Sequence, residues 1–224
     1  MANVYVGMTS FFKKSLNIVA FMVILYSSYL LILLSLPYIH FEKHVDFLET
    51  KQLIYHIKIW RASFYIHVFS SPIIILTGLF QFSQQLLNKR PKIHQILGKI
   101  YVVTVLFVSG PSAFIMSLYA NGGRITQTSF VILSILWILF TFLAYQKIKN
   151  KEITSHTKWM IRSYALTLSA VSLRFYAYLL DVFNIDMLPA DAYLMLAYTS
   201  WISNLIIAEF YIRSKYFLEF IGRN

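Results

Sequence analysis

Cysteine is absent from this chain of 224 residues, and charge is scarce, at 13% of residues against 58% hydrophobic. Without thiols there can be no disulfide, no iron–sulfur cluster and no thiolate metal site, so ligand chemistry falls to His, Asp, Glu, Met and Tyr. A soluble domain carries about a quarter charged residues; a mean hydropathy of +0.62 points instead to a membrane protein. No internal repeat or low-complexity tract is visible. The longest interval between apolar runs, residues 38–61, is too short for a separate extramembrane domain.

A net charge of +11 raises the question of nucleic acid, but the basic residues stand singly or in short groups at the ends of apolar runs and form no basic face. Nucleic acid is therefore excluded as a partner, and the charge reads as membrane topology. Tyr and Trp near the run ends suit the interfacial aromatic belts.

A bilayer-crossing helix needs about 20 apolar residues, and six stretches qualify: 16–37, 62–83, 96–119, 127–146, 159–181 and 191–212. The first is too long for a signal peptide core and lacks a cleavage site, so it reads as a retained span. Six spans put both termini on one side. That side collects fourteen cations (Lys13, Lys14, Lys89, Arg90, Lys92, Lys99, Lys147, Lys149, Lys151, Lys158, Arg162, Arg213, Lys215, Arg223). The other has five, Lys43, Lys51, Lys58, Arg61 and Arg124. Positive charge accumulates in the cytoplasm, so the expected architecture is an all-α integral membrane protein, a six-helix bundle in the cytoplasmic (inner) cell membrane with both termini cytoplasmic. Residues 1–61 would hold the first span and an outer loop, 62–213 a five-helix core, and 214–224 a cytoplasmic tail. Leu53, Ile57, Trp60 and Phe64, at helical spacing, predict an interfacial helix before the second span.

Arg174 is the twentieth cation and lies inside the fifth span, where an unpaired charge is costly unless something in the protein uses it. His156 stands 18 residues earlier, five helical turns, on the same face as Met160, Ser163, Thr167 and Ala170. Small residues along such a stripe also suit plain helix packing. In the second span His67 and Gln85 are likewise 18 apart, with Gln81 nearby and Pro72 expected to kink the helix. If the two stripes face each other, His67 meets Arg174, while Gln81 and Gln85 approach His156. The third span contributes His94, Gly98 and Tyr101 and an expected kink at Gly110–Pro111; the sixth contributes Asn204 and Glu209. The fourth, apolar apart from Ser134, Trp137 and Thr141, is expected on the lipid-facing outside, as is the first.

Two clusters follow. The first gathers His94, His156 and Glu209, with Gln81, Gln85 and Tyr101 as neighbours; the second gathers His67 and Arg174, with Asp181 or Asp186 as counter-charges. Haem b between His94 and His156 is one candidate, since facing helices can supply two imidazoles, although no single span carries the two histidines of the familiar dihaem arrangement. A non-haem metal on His94, His156 and Glu209 is another, and an ordinary ion pair between Glu209 and Arg213, at i+4, a third.

The runs "FYIHVFSSPIIILTGLFQF", "KIHQILGKIYV", "HTKWMIRSYALTLSAVSLRFY" and "WISNLIIAEFYIR" together resemble the bacterial multi-pass membrane family known as domain of unknown function 2306, over about residues 60 to 213. That resemblance implies signature positions at His67, Gln81, His94, Gly98, Tyr101, His156, Trp159, Met160, Arg162, Ser163, Arg174, Asn204 and Glu209. It implies no activity. Three functions stay open: a redox-linked protein holding haem or a quinone-like molecule, serving a membrane quinone pool or respiratory-type complex; a small-molecule or proton-coupled transporter; and a non-catalytic assembly partner.

Overall fold

The computed structural model describes residues 2–214 together with Phe217, and the side chains among them from Ser15 onward apart from positions 16, 17 and 20. Lys215, Arg223 and most of the tail 214–224 fall outside the described residues, as do the side chains of Lys13 and Lys14.

Every regular element among the described residues is helical. The long elements are α1 (Ala2–Ser35), α2 (Lys58–Gln81), the short α3 (Gln84–Lys89), α4 (Pro91–Thr104), α5 (Gly110–Ser117), α6 (Gly123–Lys149), α7 (Ile153–Thr167), α8 (Ser169–Val182) and α9 (Pro189–Arg213). A π-helical turn, Val105–Ser109, joins α4 to α5, and α7 and α8 are one helix interrupted at Leu168. Five segments are long and apolar enough to cross a membrane: Phe21–His40, Lys58–Gln81, Pro91–Ser117, Gly123–Lys149 and Ile153–Val182. The helix α9 has comparable length, 25 residues, but its serines, Asn204 and Glu209 dilute its apolar character.

The bundle buries Ile74, Tyr101, Val105, Trp137, Tyr164, Leu166 and Trp201 in one core. Close approach in that core depends on Gly78 of α2, where a Cβ atom would stand 2.3 Å from the Tyr164 ring. The absence of a side chain there lets Tyr164 reach across and donate from its hydroxyl to Ile75 O at 3.0 Å.

The fourth span is not peripheral, contrary to its apolar sequence. The helix α6 runs along α7 and also packs on α5 and α9, and Trp137, Thr141 and Ala144 are buried. Its few polar groups are what bind it: Trp201 Nε1 of α9 donates to Ser129 Oγ at 3.0 Å, and Ser129 Oγ donates to Ala197 O at 2.9 Å. By contrast, α1 packs on α2 and exposes Ile18, Met22, Tyr26 and Leu34 outward, as a lipid-facing helix does.

The expected interfacial helix in the 38–61 loop is absent. The segment folds as two 3₁₀ turns, Leu36–His40 and Asp46–Lys51. Leu48 is buried beneath it while Leu53 is 91% exposed; Trp60 and Phe64 belong to α2 itself and form the floor. Lys51 closes this cap. It is only 4% exposed, and Nζ donates to Tyr119 O at 2.6 Å and Asn121 Oδ1 at 2.5 Å, tying the loop to the turn before α6.

Burial pushes the Lys51 ammonium down to about 8. A lysine in the unfolded chain titrates near pH 10.4, so between about pH 8 and 10.4 the unfolded state binds more protons and stability rises with pH. Melting of the wild-type protein in detergent, compared with Lys51→Met, should therefore gain ground from pH 8 to 10. Parallel curves for the two proteins would show that the amine is not desolvated in the fold.

Candidate functional site

The centre of the bundle is a chain of hydroxyls. Tyr101 of α4 is completely buried, and its OH lies 2.7 Å from Ser163 Oγ and 2.8 Å from Thr167 Oγ1, both on α7. Trp137 Nε1 of α6 donates to Thr167 Oγ1 at 2.9 Å, and Thr141 Oγ1 is 2.6 Å from Ser163 Oγ while donating to Trp137 O at 2.7 Å. Three helices are thus joined through six polar atoms with no water needed. Tyr101 belongs to this network and not to the histidine cluster in which the sequence placed it: it lies two helical turns further along α4 than His94, and its hydroxyl turns toward α7.

One end of the network leads to His67. Its Nδ1 is 3.2 Å from Ser109 O and 3.1 Å from Ser109 Oγ, at the end of the π turn, and its ring stands edge-on to Trp137 with centroids 6.5 Å apart. A π turn shifts the backbone register by one residue and so offers a carbonyl to a side chain; the expected kink at Gly110–Pro111 takes this form. Arg174 lies within electrostatic reach of both His67 and Tyr38. No hydrogen bond joins His67 and Arg174 among the described residues; the charge of Arg174 reaches His67 only at a distance. The expected counter-charge is not found: Arg174 Nη1 donates to Ala170 O of its own helix at 2.9 Å, and among the described residues no carboxylate, Asp181 and Asp186 included, lies within ion-pair distance of it.

At the other end, His156 Nδ1 is 2.8 Å from Ala144 O on α6, and the carbonyl can accept only if Nδ1 carries the proton, which leaves Nε2 as the free nitrogen. His94 lies within electrostatic reach of His156. Its Nδ1 is buried with no hydrogen-bond partner among the described residues, while its backbone carbonyl accepts from Gln81 Nε2 at 3.2 Å. Gln81 packs against Gly98, where a Cβ would come within 3.1 Å of Oε1. Gln85 does not join them. The helix α2 ends at Gln81, and Gln85 is exposed on α3.

Glu209 is drawn away from the histidines by Arg162, whose Nε and Nη2 donate to its two carboxylate oxygens at 2.5 and 3.1 Å. Arg213, the partner expected from spacing, stands at 3.8 Å with 81% of its side chain exposed. Trp159 stacks beneath Arg162 at 4.7 Å. Spacing along one helix cannot reveal a partner 47 positions away, although the string containing His156, Trp159 and Arg162 marked the right turn of α7. Among the described residues no group of three or more His, Asp or Glu converges, so the metal set of His94, His156 and Glu209 is not assembled.

Haem between His94 and His156 meets a similar difficulty. Metal-bound imidazoles hand their second nitrogen's proton to an acceptor; His156 has one in Ala144 O, but His94 Nδ1 has none among the described residues, and Gln81 fills the space toward α2.

Asn204 joins α9 to the interruption in the fifth span. Leu168 O accepts from both Val171 and Ser172 N–H, and Asn204 Nδ2 donates at 3.1 Å to Ala165 O, the carbonyl that an unbroken ladder would give to Ser169. Ser172 Oγ donates back to Asn204 Oδ1 at 2.9 Å. The residues that sequence reading overlooked are Trp137, Thr141 and Ser109; the signal was present only as isolated polar groups in apolar spans, where each must find a partner.

Residues 64–212 match the family model described as predicted membrane protein, DUF2306. The chain belongs to this family. No curated protein and no solved structure matches it. The matched region contains every residue of the hydroxyl network, both histidine clusters and the Arg162–Glu209 pair, so the DUF2306 region is the part of the chain that carries the polar interior.

The bidentate geometry makes a distinction testable. Arg162→Gln should destabilise the detergent-solubilised protein by about 1.5–3 kcal/mol, the range for hydrogen bonds to charged groups, whereas Arg213→Gln should cost under about 1 kcal/mol, as exposed ion pairs do. Equal losses of melting temperature would refute the assignment of Arg162 as the partner of Glu209.

Proposed function

We propose that the chain crosses a bacterial cytoplasmic membrane six times with both termini inside, and that it is a redox-linked protein holding a quinone-like amphiphile at His67 and Arg174. The sixth crossing is α9, whose 25 residues span about 37 Å at 1.5 Å per residue and whose Ile202, Ile206, Ile207 and Phe210 face outward. In this reading residues 1–61 form a first span and cap, 62–213 the functional core, and 214–224 a cytoplasmic tail.

One observation carries the functional reading. Arg174 is a cation within a membrane-crossing segment that has no carboxylate partner among the described residues; it is exposed on the bundle surface, satisfied in part by its own helix, and within electrostatic reach of His67 and Tyr38. A carbonyl oxygen or its reduced, anionic form would accept from the guanidinium, and charge developing on that oxygen would be stabilised there. His67, oriented through Nδ1 by Ser109, would present Nε2 for proton exchange. Reducing a quinone to a quinol takes two electrons and two protons. The protons would enter at His67, and the electrons would come from a redox centre in a partner such as a respiratory-type complex. The buried hydroxyls of Tyr101, Thr167, Ser163 and Thr141 would extend the polar path toward His156.

A second reading is favoured by the helix interruptions at Leu168 and Val105–Ser109, because transporters build sites from broken helices. Proton flux driven by a solute gradient in proteoliposomes would select it.

Lipid extracts of protein purified in mild detergent should contain isoprenoid quinone in excess of an unrelated bundle prepared alike, and Arg174→Leu or His67→Ala should lower that content about tenfold, the equivalent of 1.4 kcal/mol. Equal quinone in wild type, variants and the unrelated bundle would dispose of the redox reading.

A further inference from the structure

A cleft of about 520 Å³ opens where α2 begins, lined by Phe41, Tyr55, Lys58, Arg61, Ala62 and Tyr65. It belongs to neither histidine cluster. Two of its lining residues are cations and none is acidic, and among the described residues no carboxylate lies within ion-pair distance of Lys58 or Arg61. The Arg61 guanidinium rests 5.2 Å above the Tyr55 ring, a contact that orients the charge without neutralising it. The aromatic walls are fastened together: Tyr55 OH donates to Phe41 O at 3.4 Å and lies 3.3 Å from Tyr65 OH. Phe41 adopts a left-handed backbone with φ of 56°, uncommon for a bulky residue, and its ring stands 4.7 Å from Tyr65 and 6.3 Å from Phe69.

A second hollow of about 290 Å³ follows along α2, an apolar groove against α1 that includes Ile32, Leu36, Phe69 and Ile73. Tyr65 lines the first hollow and Phe69 the second, and their rings stack at 6.2 Å, so the two spaces share a wall. Lys58 is the first residue of a membrane-crossing helix, which places the cationic cleft at headgroup depth and the groove alongside the acyl chains.

We propose that the two hollows together bind one anionic phospholipid, its phosphate between Lys58 and Arg61 and one acyl chain in the groove between α1 and α2. Charge complementarity selects this occupant. A zwitterionic lipid brings its own ammonium to a cleft that already holds two cations, and a soluble phosphate compound leaves the apolar groove unfilled.

The test is native mass spectrometry of the full chain in detergent, titrated with phosphatidylglycerol, with phosphatidylcholine of the same chain length, and with inorganic phosphate. Phosphatidylglycerol should bind about tenfold more tightly than phosphatidylcholine, the scale of one or two charge-assisted contacts, and Lys58→Gln/Arg61→Gln should abolish the preference. Ile73→Trp, which fills the groove from an exposed position, should weaken long-chain but not dihexanoyl phosphatidylglycerol. Where the double variant is not recovered monodisperse, Lys58→Gln alone, at an exposed side chain, should reduce the preference. Equal binding of the two lipids to the wild type, or an undiminished preference in the variants, overturns the proposal. Inorganic phosphate displacing the lipid at equal concentration also overturns it, in favour of a soluble phosphate ligand.

Discussion

A buried hydroxyl in a membrane has no water to turn to, and the bundle is organised around meeting that demand at Tyr101. Its OH joins Ser163 and Thr167 of α7, and through them Trp137 and Thr141 of α6. Interhelical hydrogen bonds of this kind contribute on the order of 0.6–2 kcal/mol each, too little individually to hold a span but enough, when four share a few atoms, to fix which helices are neighbours. Hydrophobicity alone cannot do so, because lipid tails are as apolar as leucine. The position of α6 inside the bundle follows: its apolar surface would be equally content against lipid, whereas Trp137 Nε1 and Thr141 Oγ1 would not.

The same demand explains why the irregular points of the backbone coincide with polar side chains. Proline at position 72 frees the carbonyl of Val68, and Ser35 Oγ of α1 lies 3.5 Å from it. The π turn ahead of Gly110 presents Ser109 O to His67, and the interruption at Leu168 presents Ala165 O to Asn204. The π turn and the interruption at Leu168 are each answered by a side chain from a different helix. Breaks and cross-links therefore come as pairs, and removing one partner exposes an unsatisfied group costing several kcal/mol in lipid.

Much of this architecture was legible in the sequence because apolar length is read one residue at a time. The membrane class, the long apolar helices and the exposed first helix all follow from hydropathy. What failed had a common cause. Periodicity assigns a residue to a face but does not say which helix that face meets. So spacing finds the i,i+4 pair of Glu209 with Arg213 but not the closer Arg162 opposite, groups Tyr101 with His94 although its hydroxyl turns to α7, and carries Gln85 along α2 past the point where the helix stops. The loop helix at Leu53 failed differently: Leu48 and Lys51 found partners beneath the loop, and tertiary burial overrode the amphipathic pattern.

The side chain of Arg174, within a membrane-crossing segment, is exposed on the surface of the bundle. Arg162, by contrast, has Glu209 and Trp159, and Lys51, in the cap, has Tyr119 O and Asn121. Arg174 has a carbonyl of its own helix, one turn back, which satisfies a donor but leaves the charge. A structural role would be served as well by a neutral donor at far lower cost of insertion, since an arginine at the helix centre adds about 2.5–3.5 kcal/mol. Serine and asparagine perform that task elsewhere in this bundle, at Ser129 and Asn204. The full positive charge of Arg174 is the feature that packing does not require, and the proposed carbonyl-bearing or anionic ligand is assigned there for that reason.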